Sequence, residues 1–125
     1  MPAKVFSKMD AVIIRVRDLE AAKKWYAEKL GVRELFSDKS ERLLVTSVGG
    51  DTNLTLWELK PGEELAPKNM AGSFPILTTA DVKHLHRVLT ERGIETGKIQ
   101  SSGSLIWFSL FDLDGNRIDV CEFYS

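Results

Sequence analysis

The chain is poor in cysteine and histidine, and neither sign of charge is in excess. Its 125 residues hold one cysteine, Cys121, which excludes an internal disulfide and suits a reducing compartment. Lys and Arg number 17 against 18 Asp and Glu, for a net charge of -1. With the two signs interspersed, no basic stripe exists to draw in nucleic acid or an anionic membrane. No apolar run approaches the roughly 20 residues of a membrane-spanning helix. Residues 1–8 lack the apolar stretch of a signal peptide, so a cytoplasmic location is expected. No glycine-rich loop opens a helix, which removes the phosphate cradle; Gly49-Gly50 precedes a strand instead.

What is present is enough apolar material, 43% of residues, for one domain with one core. Residues 9–16 are rich in Val and Ile and read as a strand. Asp18 is placed to cap a helix whose stripe is Leu19, Ala22 and Tyr26, with Gly31 at its end. Strands are expected near 32–37, 42–48 and 53–59, and residues 60–72, with Pro61-Gly62, Pro67 and Gly72, form a loop. Beyond the loop, 74–79 reads as a strand, Asp81 caps a helix with the stripe Val82, Leu85 and Leu89, and Gly93 ends it. Strands follow near 94–99, 104–111 and 116–123, with Asp112 to Asn116 as the last turn.

The two halves repeat. Asp18 and Asp81 are 63 apart, as are Leu19 and Val82, Ala22 and Leu85, Tyr26 and Leu89; Gly31 and Gly93 are 62 apart. Leu54-Thr55-Leu56-Trp57-Glu58 matches Ile118-Asp119-Val120-Cys121-Glu122 at 64. The chain is therefore expected to be a single α+β domain, 1–125, made of two copies of one unit, about 9–59 and 73–123.

Val16-Arg17-Asp18-Leu19-Glu20-Ala21-Ala22-Lys23-Lys24-Trp25-Tyr26 through Leu30-Gly31 resembles the first helix of the vicinal oxygen chelate superfamily, the group of glyoxalases, bleomycin-resistance proteins and extradiol dioxygenases. Phe111-Asp112-Leu113-Asp114-Gly115-Asn116-Arg117-Ile118-Asp119 resembles that superfamily's closing strand. The resemblance covers nearly the whole chain. It implies two βαβββ modules whose curled sheets form an open barrel around a cleft, often completed in a homodimer. It also implies a divalent metal held by His, Glu or Gln, which chelates two neighbouring oxygens of a substrate.

Matched residue by residue, the family's metal positions fall on Ala11, Thr55, Phe74 and Asp119. A methyl and a phenyl ring offer no lone pair, and one carboxylate with a hydroxyl does not hold a catalytic ion that needs about three protein ligands. His84 and His86 lie two apart on the second helix, point to different sides, and are expected to serve the surface or helix packing. No metal or other cofactor is expected.

Strand parity decides which side chains share the cleft. Val12, Ile14, Val16, Leu54, Leu56, Ile118 and Val120 are all aliphatic, as a helix-covered face requires. The opposite set includes Arg15, Thr55, Trp57, Asp119 and Cys121, with Phe74, Trp107 and Ser109 joining them. The slipped register would aim Asp10, Glu58 and Glu122 inward and leave Arg117 and Asp119 unpartnered under a helix. Trp57, Phe74 and Trp107 supply stacking surfaces, although the two tryptophans equally suit filling the barrel or a dimer seam. Arg15 and Asp119 are expected to orient a polar group, and Arg15 to pair with a carboxylate such as Asp119. Cys121 reads as a buried structural thiol, and Asp119 is the one candidate general base.

Three functions fit. The leading one is a metal-free cleft that binds a small aromatic or amphipathic molecule, with Arg15, Thr55, Trp57, Phe74, Trp107 and Asp119 as its lining. The second is a metal-dependent lyase or isomerase of the same superfamily using atypical ligands. The third is a non-catalytic interaction or sensor module. The expected partners are a small-molecule ligand and a second copy of the chain.

Overall fold

The computed structural model describes residues 3–123. Module 1 comprises β1 (Ala11–Val16), α1 (Leu19–Trp25), β2 (Arg33–Asp38), β3 (Leu43–Ser47) and β4 (Asn53–Glu58). Its sheet runs β1-β4-β3-β2, with β1 and β4 parallel and the other neighbours antiparallel. Two parallel strands need a crossover, and α1 supplies it. Module 2 repeats the plan with β5 (Ile76–Thr78), α2 (Val82–Glu91), β6 (Glu95–Thr96), β7 (Gln100–Ser102), β8 (Leu105–Phe111) and β9 (Arg117–Phe123). Its sheet runs β5-β9-β8-β6, and β7 also pairs with β8. The expected α+β architecture of two βαβββ-type units is present, as two sheets without a closed barrel.

Three element boundaries differ from expectation. The first helix does not run evenly to Gly31: after Trp25 it widens into a π-helical turn over Tyr26–Leu30, which Gly31 ends at φ 67°. The strand expected at 94–99 is shorter, β6 at Glu95–Thr96, and a further short strand, β7, lies just beyond it. The strand expected from Phe74 starts only at Ile76, because Pro75 has no N–H to give the ladder, although its carbonyl still accepts from Asp119.

The predicted caps are in place. Asp18 accepts from the Ala21 amide and Asp81 from the His84 amide, at 3.2 and 3.0 Å. A second cap was not foreseen. Glu58, at the end of β4, accepts the Leu19 amide at 2.8 Å, and its counterpart Glu122 on β9 accepts the Val82 amide at 2.8 Å. Each module thus ties its last strand to the positive start of its own helix. These two contacts also fix parity, since they put Glu58 and Glu122 on the helix side. Ile14, Val16, Leu54, Leu56, Ile118 and Val120 are buried there, in one core shared by both modules.

The modules are related by an approximate two-fold. Lys29 and Arg92 are counterparts, and they contact each other reciprocally. Lys29 Nζ donates to the Arg92 carbonyl at 2.6 Å, and Arg92 Nη1 donates to the Lys29 carbonyl at 2.8 Å. A residue meeting its own equivalent is what a two-fold axis requires. Each cation also serves the unpaired carbonyls of the other helix end.

Away from the axis, the Asp112–Asn116 turn closes the junction. Asp112 accepts from the Asp114 and Asn116 amides, from Asn116 Nδ2, and from the Tyr26 hydroxyl of the other module. Asn116 Nδ2 also reaches the Arg15 carbonyl at 3.0 Å, and Asp114 pairs with Arg17 at 3.1 Å. Tyr26 is fully buried, and that burial, followed by the Asp112 charge, pushes its phenol far above the ordinary range. The closing motif is therefore a staple between modules.

Candidate functional site

On the face away from the helices, register sets the neighbours. Thr55 lies between Ile13 and Val45, and Asp119 between Ile76 and Ser109. Ala11 and Phe74 each lie two residues before Ile13 and Ile76, so isoleucines stand directly beside Thr55 and Asp119. Thr55 and Asp119 are 4% and 5% exposed, whereas Ile13 and Ile76 are 51% and 59% exposed. The polar groups are thus sunk beneath uncovered aliphatic ones.

Arg15 does not pair with Asp119. It reaches the linker, where Glu63 takes both guanidinium nitrogens, and it also donates to the Trp57 and Glu58 carbonyls. Its guanidinium lies 4.5 Å from the Trp57 ring centroid. Glu63 sits in a loop, so its position was not legible from strand parity. Asp119 is instead held by Arg117, two residues earlier on the same strand, through both carboxylate oxygens at 2.9 Å, and by the Ser109 hydroxyl at 2.7 Å. Arg117 in turn lies 3.9 Å from the Phe74 centroid. The molecule therefore repeats one local device, a guanidinium stacked on an aromatic ring and fixed by a carboxylate.

These two devices flank a groove of about 1020 Å³ between β1, the start of β9 and the 63–75 linker. Arg15, Glu63, Phe74 and Arg117 line it, over Met9, Ile13 and Met70. Of the sequence-derived site residues, Arg15 and Phe74 line this groove; Thr55, Trp57, Trp107 and Asp119 do not. Trp57 supports Arg15 from behind and donates its indole N–H to the Glu41 carbonyl at 3.0 Å. Trp107 lies on β8 between Gln100 and Cys121.

The residues do not fit the divalent metal that the family resemblance implies. Of the four family positions only Phe74 reaches the groove, and Asp119, the one strong donor, is already bridged to Arg117. Among the described residues, no three His, Cys, Asp or Glu side chains come together as a metal-binding group. His86 is half-buried, donating from Nε2 to the Gly97 carbonyl at 2.9 Å with its ring edge-on to Phe108, and His84 accepts from Arg87 at the surface. Cys121 is buried, and burial followed by the Asp119 charge raises its thiol above the ordinary value. That direction opposes thiolate chemistry.

The model of the Glyoxalase/Bleomycin resistance protein/Dioxygenase superfamily matches residues 8–120. The chain belongs to that superfamily. No curated protein matches the chain. Among solved structures, TnmS3, an antibiotic binding protein from Streptomyces sp. CB03234, is similar at 27% identity with a TM-score of 0.80, covering 97% of this chain and 99% of that one. A glyoxalase/bleomycin resistance protein from the same Streptomyces shares 28% identity over 90% of this chain and 98% of that one, with a TM-score of 0.72. A superfamily member from Sphaerobacter thermophilus, at 23% identity and a TM-score of 0.77, covers 94% of this chain and 98% of its own. That last likeness speaks for the fold alone. No helix among the described residues is long and apolar enough to cross a membrane.

Proposed function

We propose that this superfamily member is a metal-independent binding protein for a small, planar, partly aromatic molecule of the antibiotic kind. The observation that carries the reading is the pair of guanidinium–aromatic stacks, Arg15 on Trp57 and Arg117 on Phe74, flanking one groove. A planar ligand lies between Arg15, which Trp57 backs from outside the groove, and the Arg117–Phe74 stack, its apolar body over Ile13 and Met70 and an oxygen toward Arg117 Nη1. The volume suits a ligand of that size. The likeness to an antibiotic binding protein supports the same class.

A second copy of the chain completes the site in this reading. Met9, Ile13, Phe36 and Ile76 are each more than half exposed, which is more uncovered apolar surface than one sheet face normally leaves to water. Sedimentation should return twice the chain mass, and a monomer at micromolar concentration would remove this part of the reading.

The test of the binding reading is calorimetry with anthraquinone-2-sulfonate, a planar probe carrying one anionic group. Saturable binding is expected, weakened about tenfold or more by Arg117→Ala. Heats indistinguishable from dilution, or an Arg117→Ala variant that binds like the parent, would remove the groove from consideration.

A further inference from the structure

The two-fold relation predicts that the junction closed by Tyr26 and Asp112 has an equivalent on the other side of the axis. That equivalent is built from different residues. Leu89 stands where Tyr26 stands, at an offset of 63. The five-residue turn Val48–Thr52 stands where Asp112–Asn116 stands, which puts Val48 in the place of Asp112. An isobutyl and an isopropyl group neither reach across nor hydrogen-bond, so the staple is missing.

A cavity of about 690 Å³ lies there instead, and Val48 and Leu89 both line it. Leu30, Val32, Leu77 and Leu85 are among the aliphatic lining residues, and Met9, Val12, Phe74 and Pro75 form the side shared with the groove. Leu85 is half-buried, whereas its counterpart Ala22 is fully buried at the closed junction. Gly31, Gly49 and Gly50 border the space, and a Cβ added at any of them would meet nothing within 4 Å. The lining also includes Ser47, Thr52 and Thr78; among the described residues its one charged member is Asp51, which disfavours an anionic ligand.

We propose that this cavity is a second binding site, adjoining the groove along Met9, Val12, Phe74 and Pro75, for a small uncharged apolar molecule bearing at most a hydroxyl or carbonyl. Its body fills the aliphatic space and its polar end meets the hydroxyls of the lining. Covering the aliphatic wall removes apolar surface from water, which favours an apolar occupant. The site exists because one of two symmetry-related junctions kept its Tyr–Asp staple and the other carries Leu and Val.

The experiment uses the full chain and the uncharged fluorophore N-phenyl-1-naphthylamine. Saturable fluorescence enhancement is expected. The double variant V48D/L89Y rebuilds the closed junction, and Leu85→Phe fills the cavity without adding charge; each should weaken the probe by about tenfold or more. Arg15→Ala, which lines the groove and not the cavity, should leave the probe's affinity unchanged. If the double variant fails to fold, Leu85→Phe alone carries the test. Unaltered binding in the folded cavity variants, or loss of binding in Arg15→Ala, would overturn the proposal. So would a cavity variant that converts a dimer to a monomer in sedimentation, since the cavity would then seat a second copy of the chain.

Discussion

Replacing Tyr26 with Phe removes one hydroxyl and leaves the ring in place. That hydroxyl donates to Asp112 inside the core, and its loss severs a direct tie between the modules. A hydrogen bond to a charged acceptor contributes about 1.5–3 kcal/mol. Asp112 keeps its bonds from the Asp114 amide and from the Asn116 amide and side chain, so it is not orphaned, and the lower part of that range, about 1.5–2 kcal/mol, applies. For a chain of this length that is a fall in Tm of roughly 6–8 °C. Asp112→Ala should be worse, because it frees four donors at once and leaves the buried Tyr26 hydroxyl without an acceptor, at about 3 kcal/mol or more. Denaturant melts of the parent, both single variants and the double variant give the coupling energy. A coupling above about 1 kcal/mol is expected. A Tyr26→Phe variant within about 0.5 kcal/mol of the parent would refute the reasoning, because it would mean the turn holds the modules without the cross-module bond.

Other expectations follow from single contacts. Arg42, and then the Leu19 amide, hold the Glu58 carboxyl below its ordinary value of 4.5. The folded value is thus below the unfolded one, so the stabilisation is present above pH 4.5 and is lost as pH falls through the lower folded value. Glu58→Gln should lower Tm at pH 7, and the gap to the parent should narrow as pH falls below 4.5; a gap that stays constant with falling pH would contradict it. Gly31→Ala should cost about 1 kcal/mol by strain at positive φ, with no steric term to add; an unchanged midpoint in denaturant would deny the strain. Cys121 should react with a thiol reagent at pH 8 only as fast as the chain unfolds, and rapid native labelling would show that its burial is incomplete.

Repetition made the fold legible. The offsets of 62 to 64 between caps, stripes and stop glycines encode two copies of one unit, and strand parity followed from which set of alternate residues is aliphatic. What parity left open was pairing between charges. Arg15 and Asp119 share the face away from the helices, but each found a nearer partner, Glu63 in an irregular linker and Arg117 on the same strand. An i, i+2 pair on one strand face is readable in principle, and the competing register argument, which treated Arg117 and Asp119 as a liability, obscured it. The linker carries no periodicity, so nothing in the sequence located Glu63. Val48 and Leu89 are unremarkable residues until the two-fold shows that they replace Asp112 and Tyr26.

The central claim is that the groove binds its ligand through arginine–aromatic walls and without a metal. The most direct measurement is a calorimetric titration of anthraquinone-2-sulfonate into chelator-treated protein, repeated after adding divalent cations. The same affinity is expected in both titrations. Binding that appears only once a divalent cation is restored would contradict it.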